Sequence, residues 1–235
     1  MTRRKTNGTT DYLLMAAVFA GVLLVAKTVL AKRTETPAGQ PAGALPPTSA
    51  PPSQAGPLTL QGAKVLLIGS SSAVGVGPRL EKMLKQHGIA DFKNLGVIST
   101  TIGDWSDNSH AEGKAFEAAM ASYQPNVVFI ILGTNEEAWR KTRPTWDVTA
   151  QRKTAIERMR RKLGSVRSIY LGMPPHHLWP MDRKYRDFLQ TTWGEDFFRT
   201  EDVAPEKSGD GIHLSGKGYE QWVAAIDAWL KAKGG

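Results

Sequence analysis

From Leu58 onward, short unbroken apolar runs alternate with longer stretches whose apolar residues recur every three or four positions. The runs KVLLIG (Lys64–Gly69), FKNLGVI (Phe92–Ile98), NVVFIILG (Asn126–Gly133) and VRSIYLGMP (Val166–Pro174) predict four strands. Four helices are predicted by RLEKMLKQHG, ending at Gly88, AEGKAFEAAMASY from Ala111, TWDVTAQRKTAIERMRRKLG ending at Gly164, and SGKGYEQWVAAIDAWLKAKGG from Ser215. In the third of these, Ile156, Met159 and Leu163 fall on one face. Strands without polar alternation are buried on both sides, and helices between them supply the cover. The pattern therefore predicts an α/β domain of three α/β/α layers around a parallel sheet.

A different pattern precedes it. YLLMAAVFAGVLLVAKTVLA, Tyr12–Ala31, is a single apolar run of a length that crosses a hydrocarbon core of roughly 30 Å as a helix. Lys27 lies near its far end, where a long stem can reach the interface. Val29 and Ala31 are small enough for a cleavage site, but the run is long and lacks a tidy end, so a retained transmembrane anchor is preferred to a cleaved signal peptide. Arg3, Arg4 and Lys5 on one side are matched by Lys27, Lys32 and Arg33 on the other, so charge barely orients the span. The short polar N-terminal tail favours an N-terminus-inside arrangement. Thr34–Pro57 holds seven of the chain's 14 prolines among Ala, Gly, Ser and Thr, and it predicts an extended, disordered linker. The expected organisation is thus a tail and membrane anchor over 1–33, a linker over 34–57 and a folded domain over 58–235.

Composition narrows the function classes. The chain has no cysteine, which excludes disulfides, thiolate metal sites and a cysteine nucleophile. Its net charge of +8 is shared equally between residues 1–56 and the longer remainder. The domain is therefore only mildly basic, and no dedicated nucleic-acid surface is expected. The basic helix stretch RKTAIERMRRKLG reads as a solvated face.

In a parallel sheet of this kind, ligands gather beyond the carboxyl ends of the strands. Four polar stretches occupy such places: GSSSAVGVG after the first run, STTIGDW after the second, GTNE after the third, and GDGIHLSGKGY before the last helix. Asp210 and His213 stand three apart in a Gly-rich turn, so the carboxylate can hold Nδ1–H and leave Nε2 to accept a hydroxyl proton. The plainer reading is a polar turn with Ser215 as N-cap. Asn135 can point its amide at a developing oxyanion, or close an Asx turn. GSSSAVGVG lacks the lysine and glycine spacing of a phosphate loop and the following glycine of a nucleophile elbow. Alone it reads as a polar turn.

Together, in this order and spacing, the four stretches resemble the blocks of the SGNH (GDSL) hydrolase family over most of Lys64–Leu230. LLIGSSSAVGVG is similar to the block in which Gly-Asp-Ser follows the first strand. NLGVISTTIGDW resembles the second block, GTNE the Gly-x-Asn-Asp/Glu block, and DGIHLSGKGY the Asp-x-x-His-Leu block. The resemblance implies a flavodoxin-like sheet and a Ser-His-Asp site. Ser71 would be the nucleophile, with Ser72 the alternative if the alignment slips by one. His213 would be the general base and Asp210 the group orienting it. The oxyanion would be bound by the N–H groups of Ser71 and Ser99 and the amide of Asn135. Two positions depart from the family pattern: Ser70 replaces its aspartate, and Ser99 stands where it has the oxyanion glycine. The second matters if that position requires positive φ, which serine resists.

Further candidates line the same edge. Trp105, Trp139, Met173, His177 and Trp179 are expected as substrate-cleft walls, with ordinary packing as the alternative for each. No metal or other cofactor is expected, because His176 and His177 have no ligand partner at metal spacing. The implied function is a membrane-tethered serine esterase acting through an acyl-enzyme. Its substrate would be an O-acetylated cell-envelope glycan or a lipid ester. The domain would lie periplasmic or extracellular, or on a virion membrane. The competing reading is a non-catalytic binding or scaffold domain of the same fold. The sequence says nothing of oligomeric state.

Overall fold

The computed structural model describes residues 56–142, 148–174 and 182–234, with backbone alone for residues 139–142, 148 and 149. The segments expected as a membrane anchor (1–33) and, but for its last two residues, as a linker (34–57) lie outside the described residues. Among the described residues no helix is long and apolar enough to cross a membrane.

Five parallel strands form one sheet: β1 (Lys64–Gly69), β2 (Asp91–Asn94), β3 (Val127–Ile131), β4 (Arg167–Leu171) and β5 (Phe197–Phe198). Their spatial order is β2-β1-β3-β4-β5. Among the described residues seven α-helices connect and cover them: α1 (Ser71–Gln86), α2 (Ile102–Ser106), α3 (Ala111–Ser122), α4 (Thr134–Thr142), α5 (Val148–Leu163), α6 (Arg183–Trp193) and α7 (Gly216–Ala232).

Strand periodicity sorts the core into two halves. Val65, Leu67, Phe129, Ile131, Ile169, Leu171 and Phe198 face one side and pack with Leu80 and Leu84 of α1 and Trp222 and Ile226 of α7. Leu66, Ile68, Val128, Ile130, Tyr170 and Phe197 face the other side and meet Trp105, Phe116, Ile156, Met159, Leu163, Leu189 and Trp193. Both faces of β1 and β3 are fully covered, which is why those strands read as continuous apolar runs. The three-layer parallel architecture expected from the sequence is the one observed.

Some boundaries differ from the sequence reading. The second strand stops at Asn94, and Leu95–Ile98 is irregular although two of its N–H groups still reach the neighbouring backbone: Leu95 donates to Leu67 O at 2.9 Å and Val97 to Gly69 O at 2.9 Å. The first helix begins at Ser71, eight residues before Arg79, because Ser70 is extended (φ −90°, ψ −156°) and can serve as its N-cap. Helices α2, α4 and α6 and strand β5 were absent from the sequence reading. Asp182 caps α6 by accepting from Lys184 N at 3.0 Å and Tyr185 N at 3.4 Å. The register sets Gly69 beside Ile131, so the chain segments leaving β1 and β3 start side by side at one edge of the sheet.

Candidate active site

Ser71 is the first residue of α1, directly beyond the end of β1. Its N–H has no acceptor within the helix, because the first-turn amides of any helix lie ahead of its first carbonyls. Ser70 just before it is buried and tied to the adjacent strand, its N–H donating to Ile131 O at 3.0 Å. Gly69 cannot carry a side chain here: a Cβ would stand 2.4 Å from Ile131 O and 2.7 Å from Ala73 Cβ. The strand-to-helix corner that presents Ser71 is thus set by backbone contact on both sides.

His213 arrives from the turn that precedes α7. Its Nε2 lies 3.0 Å from Ser71 Oγ, and its Nδ1 lies 2.6 Å from Asp210 Oδ2. Ser72 is buried and is not the serine His213 reaches. Asp210 Oδ1 accepts from Ser208 Oγ at 2.5 Å, Ile212 N at 2.9 Å and His213 N at 2.9 Å. Partial burial pushes this carboxyl up, but the bonds from Ser208, the His213 ring and the two backbone amides outweigh it and hold Asp210 well below the usual carboxylate range. An ionised Asp210 on Nδ1 fixes the proton there and leaves Nε2 as the acceptor facing Ser71. Ser215 does cap α7, accepting from Gly218 N at 3.0 Å, so the polar-turn reading and the Asp-His pair coexist in one segment. Beside the pair, burial pulls the Lys207 ammonium down to about 8 against the opposing pull of Asp210.

The loop from Val97 to Asp104 forms a third wall, and it is tightly bonded. Thr100 Oγ1 lies 2.8 Å from Val97 O and 3.3 Å from Gly69 O, and it accepts from Trp105 Nε1 at 3.0 Å. Thr101 and Asp104 close a capping box on α2, with Thr101 N donating to Asp104 Oδ2 at 2.8 Å. The first turn of α4 holds the same loop from the β3 side. Asn135 Nδ2 donates to Thr100 O at 2.7 Å, and Glu136 Oε1 accepts from Ile102 N at 2.7 Å. The Asn135 amide carries a second hydrogen besides the one on Thr100. Burial pushes the Glu136 carboxyl up to about 7. Within this frame Ser99 takes φ 61°, a left-handed conformation favouring glycine. The position therefore does require positive φ, and the serine adopts it because its neighbours are fixed on both sides.

The wall residues fare differently. Trp105 is fully buried in the core with its indole N–H on Thr100, so it packs the loop from behind and does not line a cleft. Met173 is also buried; its Sδ would be 3.1 Å from a Cβ on Gly133. A thioether and an indole fill space between elements well, and packing wins at both positions. The side chain of Trp139, and residues His176, His177 and Trp179, lie outside the described residues. Asp104, His110 and Glu112 each bring a ligand atom within 4.8 Å of the others, but Asp104 is already engaged by Thr101. Sequence reasoning missed Ser208, Thr100 and Glu136. Ser208, two residues before Asp210, carried the signal of a side-chain turn; Glu136 entered only as the last residue of the GTNE block, with no role of its own.

No protein-family model and no curated protein matches the chain. Solved structures do. Axe2, an acetylxylan esterase from Geobacillus stearothermophilus, superposes with a TM-score of 0.55 at 16% identity, over 74% of this chain and 96% of its own. LAE5, an α/β hydrolase enzyme from the metagenome of Lake Arreo, gives 0.57 at 12% identity, over 73% and 96%. A GDSL-like lipase from Parabacteroides merdae gives 0.52 at 15% identity, over 74% and 96%. Likeness at such identities speaks for architecture, and the architecture of this domain is that of the SGNH (GDSL) hydrolases.

Proposed function

We propose that this chain is a serine esterase that cleaves carboxylic esters through an acyl-enzyme on Ser71. The observation that carries the proposal is the line from Ser71 Oγ to His213 Nε2 at 3.0 Å and from His213 Nδ1 to Asp210 Oδ2 at 2.6 Å. Ser71 Oγ attacks the ester carbon while Nε2 takes its proton. The carbonyl oxygen becomes an oxyanion facing the Ser71 and Ser99 N–H groups and the free hydrogen of Asn135. His213 returns the proton to the departing alkoxide, the C–O bond breaks, and the acyl group stays on Ser71. Water, deprotonated by His213, then releases the acid and restores the serine. Two of the Axe2 structures are described as catalytic mutants, one with a serine and one with an aspartate replaced by alanine. That pair of residue types is the pair assigned here to Ser71 and Asp210.

The substrate proposed is an ester of the cell envelope, either an O-acetylated glycan or a lipid ester. The apolar span at Tyr12–Ala31 and the proline-rich segment after it favour a domain tethered outside a membrane, in a cell or on a virion. The test is Ser71→Ala in the full-length protein. It is expected to abolish hydrolysis of p-nitrophenyl acetate and labelling by a fluorophosphonate probe. Full activity in that variant would refute the assignment. A folded wild-type protein that takes no label would instead favour a scaffold domain, for which the left-handed Ser99 is the supporting feature.

A further inference from the structure

Among the described residues, the large hydrophobic side chains left exposed are Val74, Val97 and Ile98, at 44%, 39% and 51%. They do not lie at random. Val74 is three residues after Ser71, one turn along α1 and on the same side of the helix. Val97 and Ile98 immediately precede Ser99. The two segments are pinned together. Asn94 Nδ2 donates to Ala73 O at 3.3 Å, Gly96 N to Asn94 Oδ1 at 2.8 Å, and Val97 N to Gly69 O at 2.9 Å. Gly96 lies so close to α1 that a Cβ on it would be 3.1 Å from both Ala73 Cβ and Val74 N. The three aliphatic side chains therefore belong to one rim, which runs from the serine assigned as nucleophile to the serine assigned as oxyanion donor.

A rim of this kind is costly to leave in water, and a cheaper sequence would place polar residues there. Its position suggests what covers it. We infer that Val74, Val97 and Ile98 bind the aliphatic acyl chain of the substrate, so that the preferred esters carry an acyl group of several carbons in place of a bare acetyl. The inference rests on the esterase reading above and selects the lipid ester over the acetylated glycan. The acyl side is the one concerned, because the departing oxygen must stay against His213, its proton donor. The rim is carried by the segments that bear Ser71 and Ser99, between which the carbonyl would sit. An acyl chain leaving that carbonyl meets the rim within its first few methylenes. The polar core of the site ends where the rim begins: Thr100, next after Ser99, is buried and bonded inward.

The experiment compares p-nitrophenyl octanoate with p-nitrophenyl acetate on the full-length protein. Wild type is expected to show the higher kcat/KM for octanoate. In the Val97→Ser/Ile98→Ser variant the octanoate-to-acetate ratio of kcat/KM should fall by about tenfold, chiefly through KM, with a smaller fall in Val74→Ser. A ratio is unaffected by any loss of folded protein. Unchanged ratios in both variants, or a wild type that prefers acetate, would overturn the inference. If the wild type hydrolyses neither ester, the esterase reading fails by itself. The rim is then judged by equilibrium dialysis of octanoate against the Ser71→Ala protein with and without the two rim substitutions. Weaker retention by the rim variant upholds the apolar-chain site, and equal retention sinks it.

Discussion

Replacing Asp210 by asparagine tests the catalytic reading most sharply, because it changes one atom's chemistry and little else. Asp210 Oδ1 accepts three hydrogen bonds, and an amide oxygen in its place can accept all three. The turn should therefore survive. At the other position an NH₂ group would face His213 Nδ1, 2.6 Å away in the present geometry. A donor there repels Nδ1–H, so the ring takes the opposite tautomer and turns Nε2–H toward Ser71. An imidazole in that form cannot accept the serine proton. Loss of the base in such arrangements costs about 10³–10⁴ in kcat, or about 4–5.5 kcal/mol of transition-state stabilisation. The expected result for Asp210→Asn at neutral pH is that loss in p-nitrophenyl ester hydrolysis, with KM within about threefold and a lower Tm, because the neutral amide forfeits the stabilisation the ionised carboxylate draws from its bonds. Because Asp210 is held well below the usual 3.8, its bonds stabilise the fold above that value and are lost only as pH falls through the lowered one. Acid assays near pH 5 should therefore find the turn intact in wild type. Retention of more than a tenth of the wild-type kcat would refute the argument that Asp210 sets the tautomer.

Other expectations follow from particular contacts. Ser99→Gly removes the left-handed penalty, about 1 kcal/mol, while loosening the unfolded chain by a similar amount; Tm should barely move and esterase activity should hold or rise. A large loss of activity would assign the role to the serine side chain and not to its N–H. Gly218→Ala places a Cβ 1.9 Å from Glu206 O, a backbone atom that cannot swing aside. It should cost about 2–3 kcal/mol and lower Tm by roughly 5–10 °C in a thermal melt, whereas an unchanged Tm would contradict the close approach of α7 to that segment. Burial raises Glu136 from 4.5 to about 7, so the folded chain keeps a proton that the unfolded chain has released; stability falls as pH rises through that window. Glu136→Gln removes the titration, and its Tm relative to wild type should climb between about pH 5 and pH 8; a constant difference would show that Glu136 is ionised throughout.

How much of this could be read in the chain depends on where each element gets its stability. Strands β1, β3 and β4 draw theirs from burial on two faces, and burial leaves an apolar run in the sequence. Phe197–Phe198 joins the sheet through two residues, too few to make a pattern. Helix α6 did leave one, with Tyr185, Leu189 and Trp193 buried at intervals of four behind an Asp182 cap, and it went unread among the charges around it. Leu95–Ile98 misled in the opposite sense. Its apolar residues suggested a strand, but the ladder ends at Asn94, and Val97 and Ile98 point outward ahead of the turn at Ser99. The same ambiguity governs the site. Asp210 and His213 are three apart, and that spacing alone suggested their pairing; Ser71 is far from both in sequence, and only the four-block resemblance brought it to them. Trp105 and Met173 were offered as walls because large apolar residues after a strand can face either way, and here the core claims both.

The two departures from the family pattern weigh differently once the supports are known. Ser70 sits where its backbone does the work, donating to Ile131 O and accepting from Ala73 N at 3.0 Å, so the corner that presents Ser71 owes little to the side chain lost there. Ser99 is another matter. Its φ of 61° carries a steric penalty that glycine would avoid, and nothing local favours it. The conformation persists because Thr100, Thr101 and Ile102 are each bonded to a different neighbour: Thr100 to Asn135, Thr101 to Asp104, Ile102 to Glu136. Two of those neighbours are consecutive residues at the start of α4. A loop so held keeps its N–H direction whether position 99 is glycine or serine. The direction of the Ser99 N–H is thus set more by the α4 clamp than by the residue type at position 99.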